Sequence, residues 1–450
     1  MFKIIGMTKL IWKLFKIVLT LLLAFLMYVV IGGVVPFLHH PDVSQTKKEA
    51  VESTQFYSDS VGPDRATIIE DNEEALKMRL RVIKDAKKTL ILSTFDFRSD
   101  DAGKDILAAL LNAADRGVKV EIFADGFNSI IQMENNDYFY ALSSNKNIKI
   151  IIYNQVNILI PWNGLGRMHD KYVIADDSLY ILGGRNTFGY FLGDYAGHKN
   201  YDRDVLVYNT GSKDSSIYQI KDYYKKITSQ KCCSAFHYNE SLGEKNSVKK
   251  AEQELKNRYE SLENKYDKFL AGNYDYKANT YETNKINLLS NPTSLYTKQP
   301  TVYYGLMYLA KNAKKEVKIH TPYIICNDYM YKELKNIKVP TTIMTNSAEN
   351  NGNIFGAVDY LNHKKDIINT GVTIKEYEGG ISYHGKSMTI DDDIAIVGSF
   401  NMDMRSAYID TELMLVIDSK EINEQLGGAM QTYEHSARKA NADGTYDNPY

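Results

Sequence analysis

The chain has 450 residues, enough for two or three domains of ordinary size or for one large duplicated domain. Its composition, 44% hydrophobic and 24% charged, is that of a folded protein. The 54 basic residues are balanced by 56 acidic ones, for a net charge of about −2. Proteins that hold nucleic acid through many phosphates usually carry a basic excess. The balance therefore counts mildly against a nuclease, and no nucleic-acid partner is expected.

The three cysteines are Cys232, Cys233 and Cys326, and they lack the paired spacing of zinc-binding sites. The sequence therefore predicts no metal site and no other cofactor. Free thiols are the favoured interpretation. The alternative is a disulfide between Cys326 and one of the other two, if the domain faces an oxidising compartment.

The first element of the chain is an uncharged run of 19 residues, 17–35, which is long enough to cross a bilayer as a helix. We assign residues 17–38 to a transmembrane anchor and 39–65 to a linker. A cleaved signal peptide is the alternative. The run is long for the apolar part of such a peptide, and no A-x-A cleavage site follows it.

The topology of this anchor follows from the lysines around it. Residues 1–16, which precede the run, carry four lysines, and no compact cationic cluster follows until Lys47 and Lys48. Positive charge is retained on the cytoplasmic side of a membrane. We therefore expect residues 1–16 in the cytoplasm of a single-pass protein of the cell membrane, with the rest of the chain outside.

Two segments, 66–232 and 298–440, follow one plan. AKKTLILSTF and AKKEVKIHTP each place Ala-Lys-Lys before an apolar strand. The helical stretch DILAALLNAADRG and the strand VKVEIFAD follow in the first copy, and the strand VPTTIMTN follows in the second. A third strand comes next in each, NIKIIIYN and GVTIKEYE. Such alternation indicates an α/β fold with mixed, mostly parallel sheets.

Residues 233–297, between the two copies, break this pattern. Their stretch QELKNRYESLENKYDKFL is charged and helix-prone, which predicts a helical insertion packed on the surface. A lid over a functional site is the alternative. Residues 441–450, NADGTYDNPY, predict a poorly ordered tail.

The closest internal match joins GLGRMHDKYVIADDSLYILGGRN (164–186) to GGISYHGKSMTIDDDIAIVGSFN (379–401). In both, a histidine is followed after two residues by Lys, after seven by Asp, after 14 by Gly and after 17 by Asn. One His-x-Lys-x4-Asp match is weak evidence, but two at equivalent points of a repeat are strong. A pair of purely structural histidines is the disfavoured interpretation.

Strand geometry assigns the members of this motif different tasks. Alternate residues of a strand face the same way, so Lys171 shares a face with His169, and Lys386 shares one with His384. The motif aspartates, Asp176 and Asp391, lie an odd number of residues from these lysines, at the end of the strand. We expect them to support a turn.

This constellation resembles the phospholipase D superfamily over about residues 66–440. The segments that carry the resemblance are the two His-x-Lys-x4-Asp motifs, GGRN (183–186) and GSFNMDMRS (398–406). The first half is most similar to bacterial cardiolipin synthases, through RMHDK, GGRN and FDFRSDDAGKDILAALLNAADRGVKV. The resemblance implies two α/β/α lobes related by a pseudo-two-fold axis, with both motifs lining one site.

The same residues suit attack on a phosphodiester. Lys171 and Lys386 can neutralise the phosphate, and the amides of Asn186 and Asn401 can donate hydrogen bonds to it. One imidazole must be neutral to attack and the other protonated to donate, and a pKa near 6.5 allows both states. This scheme requires no metal.

By the resemblance, the two histidines divide the labour. His169 is expected to be the nucleophile, and His384 the general acid. A carboxylate on the second ring nitrogen orients such a histidine. We expect Asp204 and Glu412 in this role, because each begins an apolar strand after its motif, where the superfamily places such partners. Asp202 is the less favoured substitute for Asp204.

Two arginines beside the motif asparagines, Arg185 and Arg405, have two interpretations. They either bind a second phosphate, as a site for phosphatidylglycerol or cardiolipin requires, or form salt bridges that support the turn.

The leading functional interpretation is a membrane-anchored phosphatidyltransferase of the cardiolipin synthase type. It moves a phosphatidyl group, with phosphatidylglycerol as the expected donor, onto a histidine and then to a second phospholipid. A phospholipase D-type hydrolase differs only in using water as the acceptor. A nuclease of the same superfamily is disfavoured by the charge balance and the anchor. A catalytically inactive membrane scaffold is least favoured, because both His-Lys pairs are intact.

Overall fold

The computed structural model of the chain describes residues 2–237 and 240–447. Its α-helices are α1 (Phe2–Val34), α2 (Gln45–Glu52), α3 (Asn72–Asp85), α4 (Asp101–Asp115), α5 (Gly126–Gln132), α6 (Asp137–Ser143), α7 (Ile217–Thr228), α8 (Glu240–Gly243), α9 (Asn246–Lys265), α10 (Asp267–Leu270), α11 (Thr301–Lys311), α12 (Asp328–Lys335), α13 (Ile354–Asn369), α14 (Met404–Tyr408) and α15 (Lys420–Glu434). Short 3-10 turns occupy Val35–Phe37 and Pro161–Asn163.

The strands of the first half and of the insertion are β1 (Asp64–Ile69), β2 (Thr89–Thr94), β3 (Lys119–Asp125), β4 (Ile148–Tyr153), β5 (Tyr172–Ala175), β6 (Leu179–Gly183), β7 (Asn200–Tyr201), β8 (Asp204–Asn209), β9 (Cys233–Ala235), β10 (Tyr281–Glu282) and β11 (Lys285–Ser290). Those of the second half are β12 (Val317–His320), β13 (Ile324–Ile325), β14 (Thr341–Asn346), β15 (Thr373–Tyr377), β16 (Ser382–Tyr383), β17 (Ser387–Ile390), β18 (Ile394–Gly398), β19 (Met402–Asp403), β20 (Leu413–Asp418) and β21 (Ala437–Ala440).

Two mixed sheets form the two lobes. The first has the strand order β10-β1-β8-β6-β5-β2-β3-β4-β9, and the second has the order β11-β20-β18-β17-β12-β14-β15-β21. The predicted α/β class with two lobes is confirmed. The parallel part of these two sheets is smaller than expected, since among their described strands only β2-β3-β4 and β12-β14-β15 run parallel. The strands after each motif return through tight hairpins, and a hairpin pairs its strands antiparallel.

The register of these strands brings both motifs to one edge of each sheet. The first residue of β5 pairs with Ser93, next to the end of β2, and the first residue of β17 pairs with His320, the end of β12. Each motif histidine precedes its strand by three residues. Both therefore lie at the carboxyl ends of the parallel strands, where α/β proteins commonly place their sites.

The lobes pack against each other through a shared apolar core. Its buried residues come from β6 and β8 of the first lobe and from β18 and β20 of the second, among them Leu182, Val205, Val397 and Leu415. A short parallel pair, β7 with β16, also joins the halves immediately before the second motif. Burial of these faces fixes the two motifs relative to each other.

Among the described residues of the predicted insertion at 233–297, the helices lie within 240–270. Its flanks are strands, since β9 pairs with β4 in the first sheet and β11 pairs with β20 in the second. Helix α9 packs its apolar stripe, which includes Leu255 and Leu262, onto α4 and α6. Among the described residues, α9 makes no hydrogen bond to the motif residues, which favours surface packing over a lid.

The N-terminal segment contains the predicted candidate span, and the predicted linker and tail both make contacts with the second lobe. Helix α1 runs unbroken from Phe2, and its segment Lys9–Phe37 is long and apolar enough to cross a membrane. The predicted linker 39–65 is packed, because Val51 and Phe56 are buried in the core of the second lobe. In the predicted tail, Tyr446 donates a hydrogen bond to Glu376. Residues 448–450 lie outside the described part. All three cysteines are free.

Candidate active site

The first motif histidine is held by the second lobe. His169 Nδ1 lies 2.9 Å from Glu412 Oε1, and its backbone N–H donates to Thr411 Oγ1 at 3.1 Å. The Glu412 carboxylate also accepts hydrogen bonds from the hydroxyls of Ser399 and Ser406 and is fully buried. The Glu412 carboxylate is therefore oriented before any ligand binds. Because it occupies Nδ1 of His169, Nε2 is the ring nitrogen that remains available for chemistry.

The second motif histidine is held by the first lobe in the same way. His384 Nδ1 lies 2.6 Å from Asp202 Oδ2, and its backbone N–H donates to the carbonyl of Tyr201 at 2.6 Å. An aromatic ring packs edge-on against each imidazole, Phe95 against His169 at 5.1 Å and Phe191 against His384 at 5.0 Å between ring centres. The two histidines thus have matching surroundings with the lobes exchanged.

The prediction that Asp204 orients a histidine is wrong. Its carboxylate forms salt bridges with Arg79 at 2.9 Å and Arg185 at 3.2 Å, and all three side chains are buried. Asp202, the disfavoured substitute, occupies the orienting position, on the histidine of the other lobe.

The pairing register explains this correction. The motif glycine of the preceding strand pairs with Asp204 in the first lobe and with Met414 in the second. Asp204 is therefore equivalent to an apolar residue, and the residues two positions earlier, Asp202 and Glu412, are equivalent to each other. The long loop 187–199 of the first lobe hides this equivalence when residues are counted from the motif.

The glycines of the motifs allow the carboxylates to approach this closely. A Cβ atom on Gly184 would lie 2.2 Å from Asp202 Oδ1, and one on Gly398 would lie 2.1 Å from the carbonyl oxygen of Leu413. Both distances are far below van der Waals contact, so any larger residue would displace the strand that carries the carboxylate.

The two motif lysines are buried beside the histidines. Lys171 Nζ donates to the carbonyl of His169 at 2.6 Å, and Lys386 Nζ donates to that of His384. Burial lowers the pKa of Lys171 to about 7 and that of Lys386 to about 8. Desolvated cations of this kind interact strongly with an anion that enters the site.

Charges from both lobes act on each histidine, so the two motifs share one electrostatic environment. Burial, together with Lys386 and with Lys171 of the other lobe, lowers the pKa of His384 to about 4 against the opposing effect of Asp202. Burial, together with Lys171 and Lys386, likewise lowers the pKa of His169 well below its usual value. Both imidazoles are therefore neutral at pH 7 until an anion binds.

The orienting carboxylates differ in their charge. Burial raises the pKa of Glu412 to about 8, although Lys171 and two serine hydroxyls oppose the shift. Burial also opposes ionisation of Asp202, but Lys386 and His384 outweigh it and hold the pKa of Asp202 below its usual range. Asp202 is therefore the more firmly anionic of the two, an asymmetry in an otherwise symmetric site.

The motif asparagines are buried but make no side-chain hydrogen bond to the described residues. The Oδ1 atoms of Asn186 and Asn401 are buried without a partner there. Buried amides are normally paired, so each such exception calls for an explanation. A ligand that donates a hydrogen bond to these oxygens is one.

The motif aspartates lie at the far ends of their strands. Asp176 accepts hydrogen bonds from the backbone N–H groups of residues 87–89, and Asp391 accepts them from residues 314–316. Both have a positive φ, 53° and 51°, at the hairpin turn. They tie each motif to the Ala-Lys-Lys segment of its repeat and do not reach the histidines.

The two arginines beside the asparagines prove to be different. Arg185 is fully buried and binds Asp204 and the carbonyl of Ile69, so its role is structural. The side chain of Arg405 is 45% exposed and pairs with Asp410 at 2.9 Å. Of the two, only Arg405 has the exposure that binding a second phosphate requires.

Two further hydrogen bonds, which were not predicted from the sequence, hold the backbone just before each histidine. The N–H of Met168 donates to Asp125 Oδ2 at 3.0 Å, and the N–H of Tyr383 donates to Asn346 Oδ1 at 2.9 Å. Asp125 ends β3 and Asn346 ends β14, the equivalent strand. An alignment of the segments VEIFAD and TIMTN places Asp125 and Asn346 at equivalent strand ends, and could have identified them from the sequence.

The chain is similar to known sequences over most of its length. The family model for the cardiolipin synthase, phospholipase D-like domain matches residues 80–227 and 306–433, more than half of the chain. An uncharacterized protein of Helicobacter pylori is 27% identical over 395 residues, covering 79% of this chain and 76% of that protein. Cardiolipin synthase B of Salmonella typhi is 24% identical over 369 residues, covering 81% and 79%.

Cardiolipin synthase 1 of Staphylococcus aureus is 25% identical over 375 residues, which cover 82% of this chain and 66% of the relative. Among solved structures, phosphatidylserine synthase of Haemophilus influenzae superposes with a TM-score of 0.60 over 87% of this chain and 92% of that one, at 13% identity. That likeness shows a shared fold. With its two matched repeats, the chain belongs to the cardiolipin synthase, phospholipase D-like family.

Proposed function

We propose that the chain is a phosphatidyltransferase of the cardiolipin synthase type that acts through a phosphohistidine. The observation that carries the proposal is the exchange of carboxylates, Glu412 on His169 and Asp202 on His384, around two buried lysines. The relatives named cardiolipin synthase support a phospholipid as substrate. The chain is a membrane protein with α1 as its candidate span, which suits that class of substrate.

In the first step, Nε2 of His169 attacks the phosphorus of phosphatidylglycerol. The bond from phosphorus to the glycerol headgroup oxygen breaks, and protonated His384 gives its proton to that oxygen. Lys171 and Lys386 neutralise the phosphate oxygens as charge develops on them. The products are phosphatidyl-His169 and free glycerol, with His384 left neutral.

In the second step, a headgroup hydroxyl of another phosphatidylglycerol attacks the phosphohistidine. Neutral His384 removes the proton of that hydroxyl, the bond from phosphorus to nitrogen breaks, and cardiolipin forms. His169 leaves as a neutral imidazole and His384 is protonated again, so the site returns to its starting state. A phospholipase D-type hydrolase would follow the same steps with water as the acceptor, giving phosphatidic acid.

The different charges of the carboxylates support His384 as the acid. The anionic Asp202 stabilises the protonated form of His384, and a bound phosphodiester anion raises the pKa of that imidazole further. Glu412, whose pKa burial raises, gives less support to a cation on His169 and so leaves its Nε2 lone pair available. This is the division of labour implied by the family resemblance.

The proposed topology is a single span with the lobes outside the cytoplasm. The lysines before the apolar run support it, because positive charge is retained inside. The near-zero net charge argues against nucleic acid as substrate.

Labelled phosphatidylglycerol in vesicles that carry the purified full chain tests the proposal. We expect labelled cardiolipin and glycerol. Phosphatidic acid in place of cardiolipin would establish the hydrolase instead. Cleavage of DNA without turnover of any phospholipid would refute a lipid enzyme of either kind.

A further inference from the structure

We infer that helices α5 and α13, with the loop 156–162, form a second membrane contact that seats the mouth of the site on the bilayer surface. The role we assign to this contact, delivery of lipid to the histidines, rests on the proposed function. The docking itself rests on the surface described below, which we call the apolar rim.

Helix α13 is apolar on two faces in its first turns. Ala357 and Tyr360 are buried against the lobe, as the inner face of a surface helix should be. The outer face carries four large apolar side chains that are 54 to 86% exposed, Ile354, Phe355, Val358 and Leu361. Large apolar groups clustered outward on one helix mark an interaction surface, whereas scattered single ones do not.

Helix α5 repeats this feature in the first lobe. Phe127, Ile130 and Ile131 are 47 to 58% exposed, at the i, i+3 and i+4 spacing of one helical face. Helix α5 follows β3 and α13 follows β14, which are equivalent strands of the two repeats. The exposed apolar faces are thus a feature shared by both lobes.

Both helices adjoin the site. Asp125, the last residue of β3, caps α5 by accepting a hydrogen bond from Phe127 N–H, and it also holds the residue before His169. Asn346, the last residue of β14, holds the residue before His384. Asn350, shortly before α13, donates a hydrogen bond to Asn346 Oδ1 at 3.0 Å, and Gly356 in the first turn of α13 packs on Tyr323. The rim therefore flanks the two histidines from opposite lobes.

The occupant of this rim is the bilayer that α1 enters. Tyr28 of α1 donates a hydrogen bond to the carbonyl of Leu159 at 2.9 Å and packs edge-on against Trp162. Leu159 and Ile158 are themselves 65 and 58% exposed. Asn154, two residues before this loop, has its carbonyl against Gly126 at the start of α5. The span, the loop and α5 are thus continuous, so a membrane around α1 reaches the α5 side of the rim directly.

Spin labels on the full chain in phosphatidylglycerol vesicles test the docking. Single cysteines replace Phe355 and Ile131 in a background in which Cys232 and Cys233 are serine and buried Cys326 is retained. A third label at Lys250 on α9, whose side chain is 80% exposed, is the matched control. Thermal unfolding of each labelled protein verifies its fold.

We expect the labels at 355 and 131 to be accessible to oxygen and shielded from a water-soluble nickel complex. The label at 250 should show the reverse. Nickel access at 355 and 131 equal to that at 250 would overturn the inference. Shielding accompanied by spin–spin broadening between copies would also overturn it, because a second chain would then cover the rim.

Activity separates this inference from the proposed function. Phe355→Asp should lower turnover of phosphatidylglycerol in vesicles roughly tenfold, because it weakens insertion of the rim. It should leave cleavage of a water-soluble phosphodiester unchanged. A wild-type chain that cleaves neither substrate refutes the proposed function, while the spin labels still report docking. Equal losses on both substrates would refute the rim.

Discussion

His384 of the second lobe binds Asp202 of the first lobe through Nδ1 at 2.6 Å, and Asp204, two residues further along, binds two arginines instead. The two aspartates are both fully buried and differ only in their partners. They therefore provide a matched pair for separating an effect on chemistry from an effect on folding.

Asp202→Asn should lower kcat by roughly 100-fold or more, because the proposed general acid loses the charge that supports its protonated form. Its melting temperature should fall less than that of Asp204→Asn, because Lys386, the buried cation 3.7 Å from Asp202, can lose its proton when its counter-charge is removed, whereas an arginine cannot. Asp204→Asn should instead cost about 3–5 kcal/mol of unfolding free energy, since it leaves Arg79 and Arg185 buried without a counter-charge. Steady-state kinetics and thermal unfolding of both variants measure this. A loss of activity in Asp204→Asn, with a loss of stability in Asp202→Asn, would show that Asp204 is the residue that acts in the site.

His384→Ala should trap the covalent intermediate. A diester whose leaving group is stable as an anion needs no acid in the first step, so His169 should still be phosphorylated. The second step lacks its base, so the adduct should accumulate. Mass spectrometry of the acid-quenched protein should place it on the peptide that contains His169.

The reciprocal variant controls this assignment. His169→Ala should show neither a burst of leaving group nor an adduct. A burst with an adduct on the peptide that contains His384 would reverse the roles of the two histidines.

The dependence of kcat/KM on pH should reflect the buried site. The acid limb should lie well below 6.5, because the low pKa of His169 keeps the nucleophile neutral down to low pH. The basic limb should lie between about 7 and 8, where Lys171 and Lys386 lose their protons and with them the attraction for phosphate. The substrate should be a water-soluble diester whose leaving group is stable as an anion. It avoids titration of lipid headgroups, and it does not need the proton of His384, whose pKa of about 4 in the free site would otherwise impose a basic limb of its own. Lys171→Arg should remove the lower component of the basic limb, since arginine stays protonated. A basic limb near 10 would contradict these shifts.

The sequence reveals the histidines and lysines because they recur in two copies at fixed local spacing. It also reveals the turn role of Asp176 and Asp391, which depends on positions within one strand. The orienting carboxylates depend on contacts between lobes, and no local pattern records which lobe supplies the partner. The mistaken choice of Asp204 over Asp202 arose at this point, because the loop 187–199 obscures the register that relates Asp202 to Glu412.

The apolar rim could not be predicted from the sequence, for a related reason. Helix α13 is apolar on both its inner and its outer face, and hydrophobic periodicity alone cannot tell which face is covered. Only the packed structure shows that Phe355 stays exposed while Tyr360 is buried.

Gly184→Ala should lower kcat as Asp202→Asn does, although Asp202 itself is not substituted. The added Cβ would lie 2.2 Å from Asp202 Oδ1, so the carboxylate must move away from His384. Gly428→Ala in α15, where a Cβ meets no neighbour within 4 Å, is the matched control and should leave activity intact. If Asp202 acts through the proton on His384, an activated leaving group should rescue Gly184→Ala and Asp202→Asn to a similar degree, because neither then needs an acid. Rescue of one variant without the other would show that the glycine substitution disturbs more than the orienting carboxylate.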